Sequence, residues 1–174
     1  MRVIGGEFRS RVLKSLPGTD VRPTPDRLRE ALFNVLAPRI AGVTFADLYA
    51  GAGTVGIEAL SRGALNVIFV ESTRAASQLI RENARALGIE NRVDIRLGRA
   101  LQLIPELRAD VVFLDPPYPL EKEYDSALSL LGRNTPFLVI AQHSVRKQLE
   151  GTYGTLRLTR TLRQGDNVLS FFEA

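Results

Sequence analysis

The run Asp115-Pro116-Pro117-Tyr118 follows the apolar stretch Val111-Val112-Phe113-Leu114 without a break. A buried strand that ends this way brings an acceptor carboxylate, carbonyls with no competing N–H partner and a flat stacking surface to one tip. That set suits a planar ring bearing an amino group. A second group lies upstream, where Gly51 to Gly56 follows the pattern G-x-G-x-x-G. Glycines so spaced permit a tight turn, close approach of a ligand and close packing of a helix on a strand, as a nucleotide-type cofactor requires. Glu71, twenty positions after Gly51, stands where an acid would accept from ribose hydroxyls. The glycine pattern alone leaves NAD and S-adenosylmethionine both open. Asp47, four residues before Gly51, favours the second, because an anion there repels a pyrophosphate but suits the amino group of a methionine moiety.

These residues need a scaffold, and the hydrophobic pattern supplies one. Thr24-Pro25-Asp26 predicts a helix start with Thr24 as N-cap, Pro25 at the first helical position and Asp26 at the positive end of the dipole. Leu28, Ala31, Leu32, Val35 and Leu36 then mark one apolar face. From Thr44 onward the pattern predicts strands over 44–48, 67–71, 93–97, 111–115 and 137–142. Helices are predicted up to Arg62, up to the residue before Gly88, and near 101–107, 124–131 and 145–149. Such alternation makes βαβ units and a mainly parallel sheet. The tail reads as strands over 156–162 and 168–172 around the polar turn Gln164-Gly165-Asp166-Asn167. Asp47, Glu71 and Asp115 all fall at the carboxyl ends of strands, where ligands bind in open α/β sheets.

The chain of 174 residues, 45% hydrophobic, is long enough for one domain with a sizeable core. It has no cysteine, which excludes disulfides and zinc-thiolate sites, and no metal site is expected. The first residues are too polar for a signal peptide and no apolar run is long enough for a membrane span, so a soluble, cytoplasmic protein is expected, and one compact domain with no obvious exposed apolar stripe makes a monomer the expectation. Residues 1–40 carry eight basic side chains against four acidic ones, which is the whole formal charge of +4; residues 41–174 balance. A basic arm on a neutral body suits a phosphate-backbone binder, with Arg9, Arg11, Arg22 and Arg27 as candidate RNA contacts.

Four segments carry a resemblance: Met1 to Gly6, Arg22 to Leu36 (RPTPDRLREALFNVL), Gly56 to Ala64 (GIEALSRGA) and Leu114 to Tyr118. In matching order along nearly the whole chain they resemble the bacterial RsmD family, enzymes that methylate the N2 amine of a guanine in small-subunit (16S) ribosomal RNA. The resemblance implies a class I S-adenosylmethionine-dependent methyltransferase fold. That is a Rossmann-like α/β architecture with a seven-stranded, mostly parallel sheet, helices on both faces and an antiparallel last strand. Residues 1–174 would form a single methyltransferase domain, with a basic arm (1–23) before the first helix. S-adenosylmethionine would be the methyl donor, held by Asp47, Gly51, Gly53 and Glu71, with Arg99 and Ala100 at its adenine end. Asp115, Pro116, Pro117 and Tyr118 would hold the base. The partner would be small-subunit ribosomal RNA, free or within a 30S particle.

Two departures stand out. Where that family has an acid after the third strand for the adenine amine, this chain has Gly98-Arg99-Ala100, and arginine has no acceptor. The fifth strand ends Gln142-His143-Ser144, where a glutamate is expected, and His143, the only histidine, reads as a surface residue. Other readings of the residues stay open. They are amine methylation of adenine N6 or cytosine N4 in DNA, a dinucleotide-dependent oxidoreductase, and a non-catalytic ribosome assembly or RNA-binding factor that keeps the fold.

Overall fold

Parallel strands need crossover connections, and the helical runs between the apolar ones provide them. A computed structural model describes residues 1–18, 24–134 and 136–174; Arg22 therefore lies outside the described residues. The crossovers α2 (Thr54–Ser61), α3 (Arg74–Leu87), α4 (Ala100–Leu103) and α5 (Glu123–Asn134) join the parallel strands β1 (Thr44–Leu48), β2 (Asn66–Glu71), β3 (Val93–Leu97), β4 (Val111–Leu114) and β5 (Leu138–Ser144). An N-terminal helix, α1 (Asp26–Leu36), precedes them, and β6 (Thr152–Tyr153), β7 (Leu156–Gln164) and β8 (Asn167–Glu173) follow. The sheet order is β3-β2-β1-β4-β5-β8-β7-β6, so the chain reverses direction across the sheet between β1 and β4. That switch point is where open α/β sheets bind ligands.

Both faces of the sheet are covered. Leu28, Leu32, Phe33 and Leu36 of α1 pack with Ile57 and Leu60 of α2 and Ile80 of α3 on one side. Leu128 and Leu131 of α5 pack with Ala100 of α4 and Ile104 on the other. The sheet has eight strands where seven were expected. The extra one arises because Gly154, at φ +60°, turns Thr152–Tyr153 back onto Leu156 and Arg157, and the Tyr153 ring meets Phe172 edge-on at 5.7 Å. The last strand, β8, is antiparallel to both neighbours as expected. The expected helix near 145–149 is a turn closed by Ser144, whose carbonyl accepts from Lys147 N and whose hydroxyl accepts from Arg146 N. Pro105, which has no N–H, divides the expected helix near 101–107 into α4 and a 3-10 turn (Ile104–Glu106). Thr24 does not cap α1. Pro25 holds the N-cap position, while the Thr24 hydroxyl donates to Gln142 Oε1 at 3.2 Å and ties α1 to the end of β5. No helix among the described residues is long and apolar enough to cross a membrane.

The N-terminal residues pack on the body rather than standing off it. Arg2 and Val12 form a bridge, and Val3, Phe8 and Leu13 enter the core. Glu58, fully buried on α2, organises this packing. Its carboxylate accepts from Ile4 N and Gly5 N at 2.9 Å each and from Arg62 Nε at 2.8 Å, and it lies 3.5 Å from Nε of the fully buried Arg29. Arg29 in turn donates to the Arg2 carbonyl at 2.7 Å. Removing one partner of a buried charge pair strands the other, at a cost of about 3–5 kcal/mol. Glu58→Ala is expected to lose about that much, measured as a lower midpoint in urea denaturation with an unchanged slope; a loss below 1 kcal/mol would show that Glu58 does not hold the N-terminal segment.

Candidate active site

Asp47 points from the end of β1 toward α2, and its Oδ2 accepts from Gly56 N at 2.9 Å. Burial pushes its pKa well up; the Gly56 N–H opposes that shift, and the nearby charges of Asp115 and Glu71 add to it. Between these two points the chain turns through Gly51 (φ +57°) and Gly53 (φ +78°). A side chain at Gly51 would meet no atom within 4 Å, so the loop opens onto free space there. A Cβ on Gly56 would stand 2.3 Å from Phe69 Cε1 of β2, so this third glycine is required for helix-on-strand packing. Glu71 braces the loop from β2: Oε2 accepts from Gly51 N at 2.8 Å, and Oε1 accepts from Thr73 N at 2.9 Å and Thr73 Oγ1 at 3.1 Å. A carboxylate has about four lone-pair sites, so Glu71 keeps capacity for a ribose hydroxyl. Two buried acids beside an open glycine loop fit a cationic donor such as S-adenosylmethionine, and they oppose a pyrophosphate.

β4 is paired on both sides and ends at Leu114. Asp47 lies opposite Phe113, and side chains alternate along a strand, so Asp115 projects on the same face as Asp47, about 7 Å further along. No group among the described residues donates to its carboxylate. Burial raises the Asp115 pKa to about 7. Pro116 is buried beside it, Pro117 is exposed, and Tyr118, 87% exposed, opens a 3-10 turn. The acceptor, the Pro116 carbonyl and the free ring therefore stand together at this edge of the sheet, whereas the Pro117 carbonyl, expected to be without an N–H partner, accepts from Leu120 N at 2.7 Å.

Sequence reasoning missed a third cluster. Glu123, in the first turn of α5, accepts from the Tyr49 hydroxyl at 2.6 Å and pairs with Arg99 at 3.3 Å. Tyr49 holds the left-handed backbone region, φ +61°, which a non-glycine residue seldom adopts. Burial and the bond to Glu123 push its phenol pKa up. The one sequence signal was an acid in the first turn of a helix, too common to single out. Ala100 is buried at the start of α4.

The other candidates separate. Arg27, in the first turn of α1, is exposed and close to the β5 end that Thr24 holds. Arg9 belongs to a turn that packs on Ser61, at the far end of α2 from the glycine loop, about 12 Å away along the helix. Arg11 donates to the Ala86 carbonyl in the last turn of α3. Neither stands at the reaction edge. His143 is buried, not at the surface. Its Nδ1–H donates to the Ser144 carbonyl at 2.9 Å, and Nε2 of the neutral ring accepts from the Ser170 hydroxyl at 2.8 Å. Burial lowers its pKa, which keeps it neutral. Strand β8, which pairs alongside β5, brings Ser170 to it.

Comparison with known proteins accords with this geometry. A family model described as Conserved hypothetical protein 95 matches residues 1–173. The chain belongs to this family. It is 35% identical over 169 residues to the YlbH protein of Bacillus subtilis, covering 92% of this chain and 91% of that one. It is 38% identical over 120 residues to ribosomal RNA small subunit methyltransferase D of Escherichia coli, an alignment that spans 68% of this chain and 60% of the relative. The solved structure of yhhF from Escherichia coli superposes with a TM-score of 0.87 at 29% identity, covering 99% of this chain and 97% of the other. An RNA methyltransferase from Salinibacter ruber, solved with S-adenosyl-L-homocysteine, shares the fold at a TM-score of 0.67 and 18% identity, over 86% of this chain and 92% of its own. The chain is a methyltransferase of the class I fold, as the resemblance over its four segments implied.

The third glycine offers a direct check on the loop. Gly56→Ala forces α2 away from Phe69 and is expected to destabilise the chain by about 1–3 kcal/mol, read as a lower thermal midpoint. An unchanged midpoint would show that α2 is free to shift and that the loop is not held by this contact.

Proposed function

We propose that this chain transfers a methyl group from S-adenosylmethionine to the exocyclic N2 amine of a guanine in small-subunit (16S) ribosomal RNA. The observation that carries the reading is Asp115: a carboxylate with no donor among the described residues, beside the Pro116 carbonyl and an exposed tyrosine, on the same sheet face as the glycine loop. The names of its relatives support the RNA class. Bound S-adenosylmethionine supplies an electrophilic methyl on a sulfonium. The guanine N2 lone pair is delocalised into the ring, so the chain must orient the amine and stabilise it as it becomes tetrahedral and positive. The Asp115 carboxylate and the Pro116 carbonyl accept its hydrogens, and those bonds strengthen as charge develops.

Tyr118 stacks on the base. The C–N bond forms as the C–S bond breaks, the electron pair of C–S stays on sulfur, and the amine proton leaves to Asp115 or water. Holding nucleophile and methyl in line contributes on the order of 7–11 kcal/mol relative to free encounter. A stacked or paired guanine must first be flipped out, at a cost of a few kcal/mol that phosphate contacts offset. The exposed Arg27 makes such a contact in this reading. In this reading the chain works as a monomer in the cytoplasm.

Only the ionised Asp115 offers both oxygens and a negative charge to the amine, so single-turnover methyl transfer is expected to rise with pH through about 7 and level off above it. The folded chain binds that proton more tightly than an unfolded aspartate does, so the same group makes stability fall as pH rises through 7. Asp115→Ala is expected to abolish transfer while S-adenosylhomocysteine affinity stays within a few-fold. Full activity in that variant, or a rate flat between pH 5 and 9, would refute the assignment. Radiolabelled donor offered to small subunits, protein-free small-subunit RNA and duplex DNA tests the substrate class; label confined to DNA would move the reading to a DNA amine methylase.

A further inference from the structure

We propose that Glu123 and Arg99 together read the adenine of the methyl donor, with Glu123 taking the place of an acid after β3. The inference rests on S-adenosylmethionine as donor and concerns how this chain recognises it. Tyr49 directly follows β1, two residues before Gly51. Gly98 N donates to the Glu71 carbonyl at 2.9 Å, so Arg99 adjoins the end of β2 from the β3 side. In the sheet β2 lies between β1 and β3. A carboxylate that touches both Tyr49 and Arg99 therefore lies across the tip of β2. It belongs spatially to the half of the sheet that carries the glycine loop and Glu71, although Glu123 comes from α5, after β4.

Chemistry then selects the ligand group. With the ribose at Glu71, the Arg99–Glu123 pair lies further along the edge toward β3. Glu123 is an acceptor with lone pairs left after its bonds to Tyr49 and Arg99, and Arg99 is a donor whose side chain is two-thirds exposed, with N–H groups to spare. An acceptor beside a donor matches the Watson–Crick edge of adenine, which presents an N6–H donor beside the N1 acceptor. Hypoxanthine presents the reverse, an O6 acceptor beside an N1–H donor, and leaves both side chains opposed. The ion pair also neutralises Arg99, so its charge does not act against the sulfonium. Tyr49 takes one lone pair of Glu123 Oε2 and leaves the others to the ligand, so it is not itself a reader of the base.

Titration calorimetry with S-adenosylhomocysteine and its 6-oxo analogue, S-inosylhomocysteine, tests this without any RNA. The unmodified chain is expected to prefer the adenine compound by about tenfold or more, the loss that follows from leaving paired polar groups unsatisfied. Glu123→Ala and, separately, Arg99→Met are expected to bring that ratio to within about threefold, while Tyr49→Phe keeps it near the unmodified value. Arg99 is exposed, so its variant reports even if the Glu123 variant does not fold. Equal binding of the two compounds by the unmodified chain, or an undiminished ratio in Glu123→Ala or Arg99→Met, would overturn the proposal. A ratio lost only in Tyr49→Phe would reduce the cluster to a structural tie and overturn it equally. A chain that binds neither compound would refute the donor itself, which is a distinct failure.

Discussion

Two carboxylates at neighbouring strand tips hold everything the site needs. Asp47 binds Gly56 N and Glu71 binds Gly51 N, so each end of the glycine loop is fixed to a different strand. Buried carboxylates are costly unless hydrogen-bonded, and the backbone N–H groups that satisfy these two are those of the loop. The loop thus has one conformation that leaves neither acid stranded. That conformation leaves open space over Gly51, beside the Glu71 carboxylate that accepts from its N–H. It also sets the charge of any ligand, because a pyrophosphate would face two acids where a sulfonium and an ammonium find partners.

The acceptor half depends on the same sheet by another route. β1 and β4 pair in register, so the position of Asp47 fixes how far Asp115 projects beyond it. Among the described residues no donor reaches the Asp115 carboxylate, and burial raises its pKa to about 7. The two halves are joined across the switch point by Glu123, which leaves the acceptor side on α5 and closes on Tyr49 and Arg99 on the donor side. Behind the sheet, Glu58 does comparable work for the N-terminal segment, where one buried carboxylate gathers two backbone N–H groups and two guanidinium groups.

Local features were legible in the residues. The glycine loop and the Asp-Pro-Pro-Tyr run are contiguous, and their conformations follow from backbone rules that need no tertiary context. β1, β2, β4 and β5 were legible because both of their faces are buried, while β3, at the sheet edge, is only partly buried. What could not be read depends on distance. Glu123 meets partners 74 and 24 positions away, and nothing in its neighbours announces that. His143 reads as a surface residue until β8 is laid against β5 and Ser170 reaches its ring. The basic count of the first forty residues is correct, but charge says nothing of direction, and the packing on Glu58 and Ser61 turns Arg9 and Arg11 away from the reaction edge. The eighth strand is two residues long and follows from one left-handed glycine.

The central claim is that the chain methylates an exocyclic amine held by Asp115. The most direct measurement is mass analysis of nucleosides from small-subunit RNA after incubation with the protein and labelled S-adenosylmethionine. The account predicts label in N2-methylguanosine alone. Label on a ribose 2′-hydroxyl, a ring carbon or guanine N7, none of which needs a carboxylate to accept amine hydrogens, would contradict it.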